Sequence, residues 1–352
     1  MAQDEFEKLP AEGQEKKKKK SGCLIALIVA LVIVLVLLIA AALGLNYVFG
    51  RLGRFENPTQ EGETIAMIPE EIETDPAEKV EGLETVDASD VVFETVDVLE
   101  GNAVNIMLIG QDRRPGEDRA RSDSMILVTL NKEKGTIQLT SFMRDLYVQI
   151  PGYLDTRLNA AYRYGGTDLM NETYKLNFGL KIDGNVMVDF DKFTDIIEIL
   201  GGVTLDISSE EARYMNNRTD VEKTYKAGSN YFNAEDALTF TRMRYAAGGD
   251  YGRTDRQRRV IMAIAYSLRD ADLVTIFNLI DQVLPLIVTN LSDAQIIDYA
   301  TTGLSILAGG GEIQTFRIPQ DDAHYNANIR GMSVLVPDLE MCREDLKEFI
   351  YD

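Results

Sequence analysis

The sequence predicts an α/β fold, an α-β-α sandwich in which helices cover both faces of a central mixed β-sheet, preceded by one N-terminal transmembrane helix. Three observations carry this. From Val104 onward, short β-rich runs alternate with stretches of helical periodicity, the pattern of a layered α/β domain. TLNKEKGTIQLT (129–140) joins two such runs through a short Lys-Glu-Lys-Gly turn, so at least one strand pair is antiparallel and the sheet is mixed. Residues 23–45, CLIALIVALVIVLVLLIAAALGL, are uncharged and apolar, long enough as a helix to cross a hydrocarbon core of roughly 30 Å.

The chain divides accordingly. Residues 1–22 form a cytoplasmic tail, because KKKKK at 16–20 precedes the apolar run and positive charge stays inside. The run itself exceeds the 7 to 15 apolar residues typical of a cleaved signal. It is therefore a signal-anchor, and Cys23 precedes it rather than following it as a lipoprotein acceptor would. Residues 46–100 are an acidic extracellular stalk: positions 61–100 hold fourteen Asp or Glu against one lysine, with Pro58, Pro69 and Pro76 nearby. Within it, VVF at 91–93 is apolar enough to dock on the domain. Residues 101–352 form the extracellular domain, so the protein is a single-pass protein of the cell membrane.

Inside that domain VNIMLIG, SMILVTL, TIQLTSF and LYVQI read as neighbouring strands of one sheet. LMNETYKLNFG and FDKFTDIIEILGG have helical spacing, the second stopped by Gly201 and Gly202 before the strand VTLDI. Further helices are expected in NAEDALTF, RQRRVIMAIAYSLR and VTIFNLIDQVLPLI, and strands in EIQTFRIP and SVLVP.

Composition excludes several classes. Cys342 is the only external thiol, so the domain holds no internal disulfide. The single histidine, His324, excludes multi-histidine metal sites and reads as an ordinary surface or turn residue. The net charge is −21, and the cytoplasmic tail is too short for a helix-turn-helix, so no nucleic-acid partner is expected.

Against that acidic background, RMRYAAGGDYGRTDRQRR (242–259) carries six arginines and no lysine. Asn233 is placed to cap NAEDALTF, and an extended Arg242-Met243-Arg244 would point both guanidinium groups the same way. TDRQ at 254–257 fits a capping box opening the next helix, whose N-terminus favours anions, with Arg253 and Arg256 beside it. Guanidinium forks grip phosphate in bidentate fashion and keep their protons, so arginine without lysine points to a phosphate site. Net charge does not oppose this, because distant surface charges are screened beyond about 8 Å. Arg258 and Arg259 read as a solvated helix face. Gln257 fits equally as the capping-box partner or as a ligand.

A second set lies at strand ends: GQD (110–112), RSDS (121–124) and MRD (143–145). Asp112 and Asp123 can supply oxygens to Mg2+ (or Mn2+), which takes one or two carboxylates plus phosphate oxygens and water. Arg121 and Arg144 would add phosphate contacts.

These blocks resemble the LytR-CpsA-Psr (LCP) family of membrane-anchored cell-wall proteins. The resemblance runs from Val104 to Ala265 through VNIMLIGQD, RARSDSMILVTL, SFMRDLYV, RLNAAYRYGG, FDKFTDIIEILGGV, NAEDALTFTRMRY and DYGRTDRQRRVI, with an echo in VPD at 336–338. Met143, Ser124 and Ala234 depart from its usual residues without removing a charge. The resemblance implies a phosphotransferase that moves a glycopolymer such as teichoic acid or capsule from a polyprenyl (undecaprenyl)-pyrophosphate carrier onto peptidoglycan, releasing polyprenyl phosphate. By the same resemblance Asp112 and Asp123 are metal-linked carboxylates. Arg121, Arg144, Arg242, Arg244, Arg253, Arg256 and Gln257 bind the pyrophosphate, and the lipid tail occupies an apolar tunnel. Arg121, Arg144 and Asp145 are the catalytic candidates, Asp145 as general base. Two other functions fit the same residues, a polyprenyl-pyrophosphate phosphohydrolase using water and a non-catalytic wall-binding or regulatory protein.

Overall fold

The hairpin at 129–140 lies inside a seven-stranded sheet. The computed structural model describes residues 51–55, 82–93, 96–111, 119–217, 224–243, 248–267, 282–308 and 311–352. The expected tail and transmembrane helix lie outside these residues, as does most of VTIFNLIDQVLPLI. Among the described residues no helix is long and apolar enough to cross a membrane.

In chain order the elements are β1 (Gly53–Arg54), β2 (Ala103–Gln111), β3 (Ser122–Asn131), β4 (Thr136–Phe142), β5 (Tyr147–Val148), β6 (Thr156–Arg157) and α1 (Ala160–Phe178). There follow β7 (Gly184–Asp189), α2 (Phe190–Ile199), β8 (Val203–Ile207), α3 (Ser209–Asn216), β9 (Gly228–Phe232), α4 (Ala234–Arg242) and α5 (Gly249–Ser267). The chain closes with β10 (Val288–Thr289), α6 (Asp293–Ala308), β11 (Glu312–Ile318), β12 (His324–Ile329), β13 (Met332–Pro337) and α7 (Leu339–Ile350).

The sheet order is β1-β10-β7-β2-β3-β4-β11. β2, β3 and β4 run antiparallel to their neighbours in that trio, whereas β7 joins β2 and β11 joins β4 in parallel. The mixed sheet is thus observed. Successive strand residues point to opposite faces, and both faces are buried. Met107, Ile109, Met125 and Leu127 pack with α1 and α7 on one side. Ile106, Ile126, Val128 and Leu139 pack with α5 and α6 on the other. A subsidiary core unites β8, β9, α3, α4 and α5 around Phe232, Phe240 and Val260.

One strand expectation is corrected. LYVQI leaves the sheet, because β4 ends at Phe142 and the following turn carries β5 into a ribbon with β6. VTLDI forms strand β8 as expected, paired with β9 over the subsidiary core. The helix before it stops where expected: Gly202 has φ 91°, and a Cβ there would lie 2.5 Å from the Tyr231 hydroxyl.

Parts of the acidic stalk belong to the domain. Gly53–Arg54 adds a strand beside β10. Val86, Ala88, Val91 and Phe93 pack on β12 and β13, with the Phe93 ring stacked on Tyr147 at 6.1 Å. Apolar residues in a charged segment find their burial on a neighbouring ribbon. Val92, pointing the other way, stays exposed.

Candidate active site: an arginine cluster beside an apolar cavity

Strand direction assembles the site. Because β3 runs against both β2 and β4, the end of β2, the start of β3 and the end of β4 fall on one edge of the sheet. Gln111, Asp123 and Arg144 are brought there together. Gln111 is buried and braces the edge: its amide donates to Asp189 Oδ1 at 2.7 Å, and its Oε1 accepts the Ala120 N–H at 3.1 Å.

Arg144 is the hub. Its Nη1 donates to Asp123 Oδ1 at 2.6 Å, and its Nε lies 3.4 Å from Asp145 Oδ2. The other Asp145 oxygen is 3.6 Å from Arg157 Nε. Burial works against the Arg144 charge, but Asp145 and Asp123 outweigh it and hold the proton more firmly than usual. Burial raises the Asp145 pKa, opposed in part by Arg144.

Helix α5 brings the opposing cations. Arg253 is buried, and its Nη1 pairs with Asp250 at 2.8 Å. Its Nε and Nη2 meet no acceptor among the described residues, and neither does Arg121 Nε. Burial, followed by Arg144, lowers the Arg253 pKa, with Asp250, Asp145 and Asp123 pulling the other way. Buried donors are normally satisfied, so a fork with two idle N–H groups, near enough to Arg144 to feel its charge, can take an anion.

Beside the cluster lies an apolar cavity of about 190 Å³. The sheet contributes Leu108, Gly110 and Ile126, and α2 contributes Phe190 and Phe193. Helix α5 contributes Gln257, Ile261 and Ile264. Arg253, Gln257, Ile261 and Ile264 follow at helical spacing, so one stripe of α5 passes from cationic to polar to apolar along its length.

The placement of the expected residues is mixed. Asp123, Arg144, Asp145 and Arg253 converge, Arg121 precedes β3 at the same edge, and Gln257 lines the cavity. Arg242 is exposed at the end of α4, its guanidinium 5.0 Å from the Phe190 ring centre, so it stands over a cavity-lining residue. Asp112 and Arg244 lie outside the described residues. Asn233 caps α4 as expected, accepting the Asp236 N–H at 2.7 Å.

Three readings change. The box at 254–257 does not open a helix, because α5 starts at Gly249 and the Thr254 hydroxyl donates back to the Tyr251 carbonyl at 2.9 Å. Arg256, expected on the pyrophosphate, falls on the next stripe with Val260 and Ala263. Its Nη2 donates to the Met243 carbonyl at 2.5 Å and its Nη1 is 3.5 Å from Glu211. Arg258 and Arg259 are not a solvated face: Arg258 is buried, and Arg259 binds Glu211 and the Asp206 carbonyl.

Sequence reasoning missed Asp250, Arg157 and His324. Asp250 was legible as an i, i+3 partner of Arg253. Arg157 sits in RLNAAYRYGG, buried against the Ser333 carbonyl. His324 is half-buried, bonded to Tyr251.

An α-β-α sandwich that sets the buried Arg253 and the half-buried Arg144 beside an apolar cavity has the chemistry to take an amphiphile with an anionic head. The LytR_cpsA_psr family profile matches residues 69–348, and the chain belongs to that family. It is 34% identical over 196 residues to "Polyisoprenyl-teichoic acid--peptidoglycan teichoic acid transferase TagV" of Bacillus subtilis (strain 168), a match covering 53% of this chain. That match spans about half the relative's length, 49%. A TagU protein of the same description from Bacillus cereus is 31% identical over 231 residues, covering 65% of this chain and 72% of the relative. The crystal structure of B. subtilis TagV superposes with a TM-score of 0.57 at 28% identity, covering 72% of this chain and 99% of that one.

Proposed function

We propose that the protein transfers a glycopolymer from a polyprenyl-pyrophosphate carrier onto peptidoglycan by phosphodiester formation, releasing polyprenyl phosphate. One observation carries the reading: the buried Arg253 fork, with Nε and Nη2 idle, beside Arg144 and the apolar cavity. The cavity takes the start of the prenyl tail, and Arg121, Arg144, Arg253 and Gln257 take the pyrophosphate, joined by Arg242 at the end of α4 and by Arg244. The names of the TagU and TagV relatives support the same chemistry.

A peptidoglycan hydroxyl attacks the polymer-proximal phosphorus. The new O–P bond forms as the bond to the bridging oxygen breaks, and polyprenyl phosphate leaves. Arginines preorganised at the phosphoryl and leaving oxygens neutralise the developing charge, the main contribution a protein makes to such a reaction. Asp145 takes the hydroxyl's proton, its proton affinity increased by burial against the pull of Arg144.

Mg2+ (or Mn2+) belongs to the proposal through Asp123 and Asp112. Among the described residues no three His, Cys, Asp or Glu form a metal cluster. Asp123 alone suits a hard cation that takes its remaining oxygens from phosphate and water. When bound, the ion adds charge stabilisation to that of the arginines. Residues 23–45 anchor the chain in the cell membrane and leave the domain outside, next to both substrates.

The test is incubation of the full-length protein in vesicles with a lipid-pyrophosphate oligosaccharide, Mg2+ and peptidoglycan oligomers. Peptidoglycan-dependent release of polyprenyl phosphate with a phosphodiester-linked product is expected, and it is lost in Asp123→Ala. Equal release without peptidoglycan would make the protein a phosphohydrolase, and no release would favour a binding role.

A further inference from the structure

The one histidine of the chain grips the helix that carries Arg253. His324 opens β12. Its Nδ1 lies 2.8 Å from the Gln320 carbonyl and its Nε2 meets the Tyr251 hydroxyl. A carbonyl only accepts, so Nδ1 carries a proton, and the tautomer that leaves Nε2 bare accepts the phenolic O–H there. The two rings meet edge to face with centroids 5.8 Å apart. From the other side, the Arg317 guanidinium lies 4.0 Å from the centre of the Tyr251 ring. Arg317 is itself fixed, by the Pro319 carbonyl at 3.0 Å and by Asp321 at 2.6 Å. Burial raises the Tyr251 pKa, so the hydroxyl keeps the proton it donates.

Tyr251 stands in the first turn of α5, between Asp250 and Arg253. Two glycines with positive φ, Gly248 at 85° and Gly249 at 53°, lead into that turn. Such an entry has wide backbone freedom. The turn is steadied from outside, by side chains of β11, β12 and the segment between them.

We infer that His324 and Tyr251 are positioning residues for phosphoryl transfer: the hydrogen bond between them sets the first turn of α5, holds Asp250 against Arg253 and so aims the idle nitrogens of Arg253 at the substrate. The inference rests on Arg253 being a pyrophosphate ligand. Neither side chain has to touch the substrate, since small misplacement of a charged group at a reacting centre costs rate.

The test uses full-length protein in the vesicle assay. Tyr251→Phe keeps the ring under Arg317 and removes only the O–H. His324→Leu removes the acceptor, and His324→Gln restores one. Tyr251→Phe and His324→Leu are each expected to lower turnover about five- to tenfold and raise the donor KM, the scale of one lost hydrogen bond. His324→Gln should recover to within about twofold of wild type, and the double variant Tyr251→Phe/His324→Leu should be no slower than either single one. Thermal unfolding checks that each variant is folded. Wild-type turnover in Tyr251→Phe, multiplied losses in the double variant, or a lowered Tm with unchanged kcat and KM would overturn the inference. Arg253→Ala separates the two levels. If it leaves donor binding intact, the pyrophosphate reading is what fails. If it abolishes donor binding while Tyr251→Phe behaves as wild type, the positioning role alone is wrong.

Discussion

Replacing Arg144 with alanine tests the cluster most directly, because two carboxylates share that side chain. The contacts are 2.6 Å to Asp123 and 3.4 Å to Asp145, with Arg144 13% exposed and Asp145 14%. Asp123 is 27% exposed, so water screens part of that pair and the Asp145 contact dominates. Truncation leaves Asp145 buried with Arg157 at 3.6 Å as its nearest remaining ion-pair partner. Breaking a buried pair costs about 3–5 kcal/mol. With Arg157 and Arg253 still nearby, the low end applies, about 3 kcal/mol, or roughly 6–12 °C in Tm for a domain of this size.

The loss carries a pH signature. Burial already raises the Asp145 pKa against Arg144, and removing Arg144 raises it further. A carboxyl whose folded pKa exceeds its unfolded value favours the folded state when protonated, and that contribution fades as pH rises through the folded pKa. The deficit of Arg144→Ala relative to wild type therefore shrinks as pH falls from neutral toward the ordinary aspartate value of 3.8. Melting curves across that range measure it, and the vesicle assay should show turnover about 10²- to 10³-fold lower, as for loss of one preorganised donor. Wild-type turnover, or a deficit independent of pH, would refute the reasoning.

Three further outcomes follow from the geometry. At Gly110 a Cβ would lie 3.1 Å from Ser124 Cβ and 3.6 Å from the Phe190 ring, so Gly110→Leu projects into the cavity. Binding of long-chain polyprenyl pyrophosphate should weaken about tenfold more than that of a short-chain analogue, and equal losses in a titration would remove the cavity as the tail's site. Burial pushes the Glu211 pKa up, but Arg259, the Ser208 N–H and Arg256 outweigh it and hold the carboxyl below its ordinary range. Its stabilisation is present above the unfolded value of 4.5 and lost as pH falls through the lower folded one. Glu211→Gln should cost about 2–3 kcal/mol near pH 7 in denaturant melts with donor KM unchanged; a changed KM would put Arg256 back at the site. Burial pushes the Cys342 thiol up to about 12. In a Cys23→Ser background it should resist maleimide until the domain unfolds, and rapid native labelling would contradict its burial.

Much of this was written along the chain. β2, β3 and β4 were legible because their apolar runs are short, β-branched and punctuated by polar turns, and the hairpin declared their direction. That direction places Gln111, Asp123 and Arg144 on one edge, so Asp123 and Arg144 could be picked out from the sequence. The cap at Asn233 was likewise a local matter of one side chain and one N–H. The start of α5 was not: Gly248 and Gly249 read as loop, while Thr254 offered a false cap.

Once the start moves to Gly249, helical phase alone separates Arg253 and Gln257 from Arg256. Which stripe faces the cavity and which faces Glu211 depends on the layers packed on either side. His324 and Tyr251 lie 73 residues apart, and the cavity draws on two layers of the fold. Local sequence determined the elements, the strand-end charges and the membrane-length apolar run, because these depend on neighbours in the chain. Tertiary packing decided which arginines face the Asp123–Asp145 cluster and which are drawn off to Glu211. That depends on long-range contacts between residues remote in sequence, and no periodicity encodes them.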